Sequence, residues 1–242
     1  MKKVAVVTGG AKGLGAEIVK SLVKDGYTLV IHYLSSKADA SALLGEISNT
    51  SDLGFVVQAD LVKENEVKRM FDEIRSRIGR IDLLVNNVGN FIFKPFSKTT
   101  NSEFRDVLES NIYSTLYCSR EALTVMREQK GGQIINIGSV GVERLIIREN
   151  SMPYFLAKTG VYVLTKTMAW EEAKNGIRIN MISPASLKAD IFKESDFPMG
   201  REARYSDVVS ALRFLTSDDS YYINGANIEV AGAFVPGMDK AQ

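Results

Sequence analysis

Short β-branched runs, separated by longer stretches of helical period, recur along all 242 residues and restrict this chain to one class of fold. Strands covered on both faces read as continuous apolar runs, and joining parallel strands takes a crossover of a dozen or more residues, usually a helix. Residues 4–7 predict a first strand; Leu14, Ile18 and Leu22 then recur every fourth position until Gly26 stops the helix. Further strands are predicted at 28–34, 55–59, 81–86, 133–137, 177–182 and 226–230. Helices are predicted at 38–47, 67–78, 102–129, 154–174 and 207–216. The reading is an α/β chain with a doubly wound, parallel, seven-stranded sheet flanked by helices on both faces. No repeat, low-complexity tract or Pro/Ser-rich linker divides it, so residues 1–242 are expected to form one domain.

Composition removes several functions. Thirty Lys and Arg oppose 29 acidic residues, which leaves no electrostatic footprint for nucleic acid or an anionic membrane. The apolar run at 4–7 is too short for a signal peptide, and nothing approaches the ~20 apolar residues of a membrane span. A lone cysteine, Cys118, makes no internal disulfide and fits a reducing cytoplasm, the expected location. His32 is the only histidine, so neither a multi-histidine zinc site nor a Ser-His-Asp triad is expected, and no metal.

An open sheet of this kind binds its ligand at the carboxyl ends of the strands, beside the point where strand order reverses. Chemistry-bearing motifs should therefore follow strands. Thr8-Gly9-Gly10-Ala11-Lys12-Gly13-Leu14-Gly15 follows the first strand and opens the first helix. Glycines there permit a tight turn and close backbone approach, and the helix N-terminus offers N–H donors to a pyrophosphate. Tyr154 and Lys158 stand four residues apart, one turn apart on a helix face. A phenol has a pKa of about 10, and bringing it near neutrality takes roughly 4 kcal/mol, which a neighbouring ammonium helps to supply.

The spacing of Gly9, Gly13 and Gly15 resembles the TGxxxGxG loop of the short-chain dehydrogenase/reductase family, and further matches follow in order. Asn86-Asn87-Val88-Gly89 is similar to the family's NNAG motif, and residues 180–184 to its turn facing the nicotinamide. The resemblance spans essentially the whole chain. It implies a Rossmann fold and an NADP(H)-dependent oxidoreductase that reduces a carbonyl to an alcohol.

It also implies roles. Tyr154 would be the acid/base, Lys158 its partner and a holder of the nicotinamide ribose, Ser139 a hydrogen-bond donor to the substrate oxygen, and Asn111 the holder of a relay water. Cofactor contacts would come from Gly9, Lys12, Gly13, Leu14 and Gly15; from Tyr33, Ser35 and Ser36; and from Asp60 and Leu61 at the adenine. Asn87, Val88, Gly89, Tyr154, Lys158, Pro184, Ala185 and Leu187 complete the set. With no carboxylate ending the second strand, and with Ser35, Ser36 and the basic Lys12 nearby, the expected cofactor is NADP(H).

The chain departs from the family pattern in places. The loop between Ser139 and Tyr154 is longer than usual and must bulge. Pro184-Ala185 stands for the usual PG, Ala189 for a threonine, and Ala231-Gly232 for a GG. Phe91, Phe93, Leu145, Ile146, Met152 and Phe155 would line an apolar substrate pocket, with residues 187–204 as its lid. Pro198-Met199-Gly200-Arg201 in that lid resembles the family's 3-oxoacyl-[acyl-carrier-protein] reductases. The basic pair that docks the carrier in those enzymes is half present, Lys130 at one place and Asn175, beside Lys174, at the other. His32-Tyr33 and Ser35-Ser36 also resemble pteridine reductases, the alternative enzyme, and a weakly active dinucleotide-binding regulator is the non-catalytic alternative. Apolar positions on the two longest helices, including Tyr113, Tyr117, Val161, Leu164 and Trp170, predict a homo-oligomer, a tetramer as in the family.

Overall fold

Successive side chains of a strand point to opposite faces, and β1 (Val4–Val7) divides itself accordingly between two cores. Val4 and Val6 join one apolar cluster, Ala5 and Val7 the other. The structure is a computed structural model that describes residues 2–48, 54–146, 149–187 and 192–234. Its other strands are β2 (Thr28–Tyr33), β3 (Phe55–Gln58), β4 (Leu83–Asn86), β5 (Gly132–Ile137), β6 (Ile177–Pro184) and β7 (Asn227–Val230). All pair in parallel, in the order β3-β2-β1-β4-β5-β6-β7. The chain winds outward from β1 to β3, then returns to place β4 on the other side of β1. That reversal opens a crevice over the ends of β1 and β4.

Among the described residues, seven α-helices cover the sheet: α1 (Gly13–Lys24), α2 (Lys37–Ser48), α3 (Glu64–Arg77), α4 (Asn101–Leu108), α5 (Ser114–Glu128), α6 (Met152–Glu172) and α7 (Tyr205–Thr216). Helices α3, α5 and α6 bury their apolar stripes in the first cluster; α1, α2 and α7 bury theirs in the second. The expected doubly wound sheet is what the chain forms.

The boundaries shift in two informative places. The helix predicted over 102–129 is not continuous, because a π-helical turn, Glu109–Tyr113, joins α4 to α5. Hydroxyls support it: Ser114 Oγ donates to the Ser110 carbonyl at 2.5 Å and Thr115 Oγ1 to the Asn111 carbonyl at 2.8 Å. Helix α6 starts at Met152 rather than 154, with Pro153 in its first turn, where a missing N–H has no helical partner to lose.

Candidate active site

Tyr154 and Lys158 both lie on the first two turns of α6, and the lysine is buried. Its ammonium donates to the Ile137 carbonyl at the end of β5, 2.7 Å away, and lies 5.5 Å from the centre of the Tyr154 ring. Burial pushes the Lys158 ammonium down to about 8. Phe91, just after the β4 loop, packs edge-on against Tyr154 with ring centres 4.9 Å apart. Ser139 is buried two residues beyond β5, and the Gly138 N–H before it donates to the Ile182 carbonyl at 2.7 Å.

The π turn delivers Asn111 to the same crevice. Its Nδ2 donates to the carbonyls of Asn90 and Val107, each at 2.9 Å, while its buried Oδ1 has no hydrogen-bond partner. Gly89 leaves the room this requires, since a Cβ there would stand 2.0 Å from that Oδ1. One residue on, Ile112 packs so closely on α6 that a Cβ at Gly160 would meet its Cδ1 at 2.8 Å. All four expected catalytic residues thus gather about the ends of β4 and β5.

The glycine loop is shaped by backbone contact. A Cβ at Gly15 would lie 2.1 Å from the Gly9 carbonyl, so only glycine lets α1 start this near the loop. Neither a capping side chain nor a first-turn carboxylate occupies the N-terminus of α1; α4, by contrast, starts with a Thr100–Glu103 capping box. The open N–H groups and bare loop beside β4 fit the pyrophosphate of a dinucleotide. Asn87 braces the loop, its Nδ2 donating to the Thr8 carbonyl at 3.1 Å and the Gly9 carbonyl at 3.3 Å.

The other expected contacts divide. Ser35, Ser36, Lys12 and Gly13 stand at the surface or partly exposed, and Asp60 and Val88 are partly exposed. Leu14, Tyr33 and Leu61 have buried side chains within the two cores, and the Tyr33 carbonyl accepts the Ala59 N–H at 3.4 Å. Ala185 is buried as well, beside Pro184 at the end of β6, and Leu187 is partly buried against the second core. Lys12 is already paired, its Nζ 2.9 Å from the Asp39 carboxylate in the first turn of α2. Asp60 is held by Lys63 at 3.2 Å and accepts the Val62 N–H at 3.3 Å.

On the substrate side, Phe91, Phe93 and Leu145 are exposed at the mouth of the crevice. Phe155, expected in the pocket, is partly buried and packs against Val142, Val161 and Met181. That cluster also buries Val161, which is therefore no interface residue. The long loop before α6 folds into a short 3-10 turn, Val142–Arg144, and Glu229 of β7 secures it. Its carboxylate accepts from the Gly141 N–H at 2.7 Å and from Arg144 at 2.5 Å. Phe197, in the stretch expected to form the lid, packs with Phe234, Val140 and Ala185; Ala189 lies outside the described residues.

Sequence reasoning missed Thr8, His32 and Glu229. Thr8 Oγ1 accepts from the N–H groups of Asn87 and Val88 at 2.8 and 3.3 Å, stitching the glycine loop to the β4 loop. Only its place in the loop hinted at this. Among the described residues no cluster of His, Cys, Asp and Glu could hold a metal, and no helix is long and apolar enough to cross a membrane.

Known proteins share this arrangement. The family model for short chain dehydrogenases matches residues 3–198. The chain is 33% identical to the 3-oxoacyl-[acyl-carrier-protein] reductase FabG of Staphylococcus aureus, over 96% of its own length and 98% of the relative's. It is 31% identical to an uncharacterized oxidoreductase of Methylorubrum extorquens, over 95% and 96% of the two chains. A solved structure assigned as a 3-oxoacyl-reductase of Bacillus thuringiensis superposes with a TM-score of 0.87 at 29% identity, covering 98% of this chain and 99% of that one. With its crevice, its tyrosine–lysine pair and these likenesses together, the chain belongs to the short-chain dehydrogenases and is an oxidoreductase that uses a nicotinamide dinucleotide.

Proposed function

We propose that this oxidoreductase reduces the keto group of a 3-oxoacyl thioester to an alcohol, with NADPH as the reductant. The observation that carries the reading is the buried Lys158 held beside Tyr154 at the end of β5. Held by the glycine loop at Gly9–Gly15, a reduced nicotinamide dinucleotide would supply the hydride for the carbonyl carbon. Tyr154 Oη gives its proton to the carbonyl oxygen as negative charge develops there, and the Ser139 hydroxyl donates a hydrogen bond to the same oxygen. An ammonium beside the ring favours the charged form of a phenol, which is the help Lys158 gives Tyr154. The unpartnered Asn111 Oδ1 is the acceptor for a relay water that returns a proton to Tyr154 by way of Lys158.

Likeness to the staphylococcal reductase supports the substrate class, and the exposed Phe91, Phe93 and Leu145 suit an acyl chain. The carrier-docking face is half formed: Lys130 and Lys174 are exposed, while Asn175 is tied to Glu172 at 2.7 Å. Trp170 is 87% exposed and Tyr113 is 45% exposed on the α5–α6 side, which favours assembly of several copies. The preference for NADPH rests on the absence of a carboxylate at the end of β2 and on Lys12, which must leave Asp39 to meet a 2′-phosphate. The deciding experiment measures kcat/KM with acetoacetyl thioesters, simple ketones, sugars and dihydropterins, each with NADPH and NADH. Highest efficiency with a thioester and NADPH is expected; a dihydropterin, or NADH, in first place overturns the reading.

A further inference from the structure

The chain's only histidine takes no part in the chemistry above, yet it is buried in β2 and makes two directed hydrogen bonds. Its Nδ1 accepts the Gly9 N–H at 3.0 Å, and its Nε2 lies 2.9 Å from the Ala59 carbonyl. Those bonds allow one arrangement, a neutral ring with Nδ1 bare and Nε2 protonated. Burial lowers the His32 pKa, against smaller upward effects from the Ala59 bond and the nearby Asp60 carboxylate. The residue's own carbonyl accepts the Gly10 N–H at 3.0 Å, so both glycine amides that begin the loop end on His32. Gly9 opens the pyrophosphate loop and Ala59 precedes Asp60-Leu61 on the adenine side. An aliphatic side chain would fill the same space without desolvating an imidazole, but it would leave the Gly9 N–H without a partner.

We propose that His32 is a positioning residue for the dinucleotide, its neutral imidazole fixing the glycine loop against the β3 loop so that both halves of the adenosine site keep their spacing. The inference rests on the dinucleotide reading of the crevice. It is tested by titrating NADPH fluorescence against the parent, His32→Phe and His32→Asn, with kcat measured at saturating cofactor. Phenylalanine keeps the ring but offers no acceptor, and should weaken the Kd for NADPH about tenfold or more. Asparagine carries an oxygen near the Nδ1 position but loses the Ala59 bond, and should weaken Kd by less, about threefold. In both variants kcat should stay near the parent's.

A His32→Phe protein that binds like the parent, or equal weakening in both variants, overturns the proposal. Failure of the parent to bind NADPH or NADH would instead overturn the dinucleotide reading. Nitrogen NMR of the single imidazole needs no variant at all. At pH 7 it should show a neutral ring protonated on Nε2, whose Nδ1 resonance moves when NADP+ is added. A ring protonated on Nδ1, or a resonance indifferent to NADP+, refutes the role.

Discussion

The dinucleotide end and the substrate mouth share one edge of the sheet but are built differently. Around the glycine loop, Thr8, His32 and Asn87 satisfy backbone groups with side chains from neighbouring strands and loops, and glycines allow contact with no space to spare. At the substrate mouth, Phe91, Phe93 and Leu145 stay largely exposed. Preorganisation lowers the ordering cost of binding a fixed ligand, whereas a looser apolar rim accommodates chains of differing shape. The contrast suits an enzyme with one cofactor and a class of substrates.

The hardest strike falls where the two regions meet. Tyr154→Phe should lower kcat by about 10² to 10⁴ while the NADPH Kd stays near the parent's, and Lys158→Ala should damage both. Steady-state rates and fluorescence titration check this, and parental turnover by Tyr154→Phe would remove the proposed proton donor.

The next tests whether the dinucleotide end is also a pH-sensitive part of the fold. With the His32 pKa depressed by burial, the unfolded chain takes up its proton first as pH falls below the ordinary 6.5. Stability from this group is thus complete above that value and is lost as pH falls towards the folded pKa, at up to about 1.4 kcal/mol per pH unit. Thermal unfolding between pH 7 and 5 should show the decline, and His32→Asn should flatten it; identical slopes would exclude the histidine as its source.

Phe91→Ala sharpens the contrast from the other side. Losing a half-exposed ring beside Tyr154 should raise substrate KM about fivefold, on the order of 1 kcal/mol of apolar contact, and leave NADPH KM unchanged. A matching rise in the KM for NADPH would mean that the two regions are not separate. The smallest expected effect concerns Lys12. Exposed ion pairs contribute about 0.2–1 kcal/mol, so Asp39→Asn, by freeing Lys12, should lower the KM for NADPH by up to about fivefold and leave that for NADH alone. An equal change for both cofactors would place Lys12 away from the 2′-phosphate.

Much of this architecture is local in origin and so legible in sequence. Strand and helix periods predicted all seven strands to within a residue or two, and the motifs fell at strand ends because the parallel sheet puts them there. Tyr154 and Lys158 could be paired from spacing alone, since one helical turn brings them together whatever surrounds them. Val161 was misplaced for the complementary reason. Periodicity assigns an apolar residue to a helix face, but only packing against Val142 and Met181 shows that the face is covered within the chain.

The sequence by itself determined the fold class, the order of the motifs and the pairing of Tyr154 with Lys158 on one helix, all set by short-range regularities. Tertiary structure alone decided what His32 does, through bonds to residues 23 and 27 positions away. It likewise decided that Lys12 meets Asp39, that Glu229 secures the loop after Ser139 from 88 positions away, and that a π turn aims Asn111 at Gly89. A hydrogen bond needs its partner within about 3 Å and in line. Which distant groups meet that condition is settled by how strands register and helices pack, and no local pattern of residues encodes it.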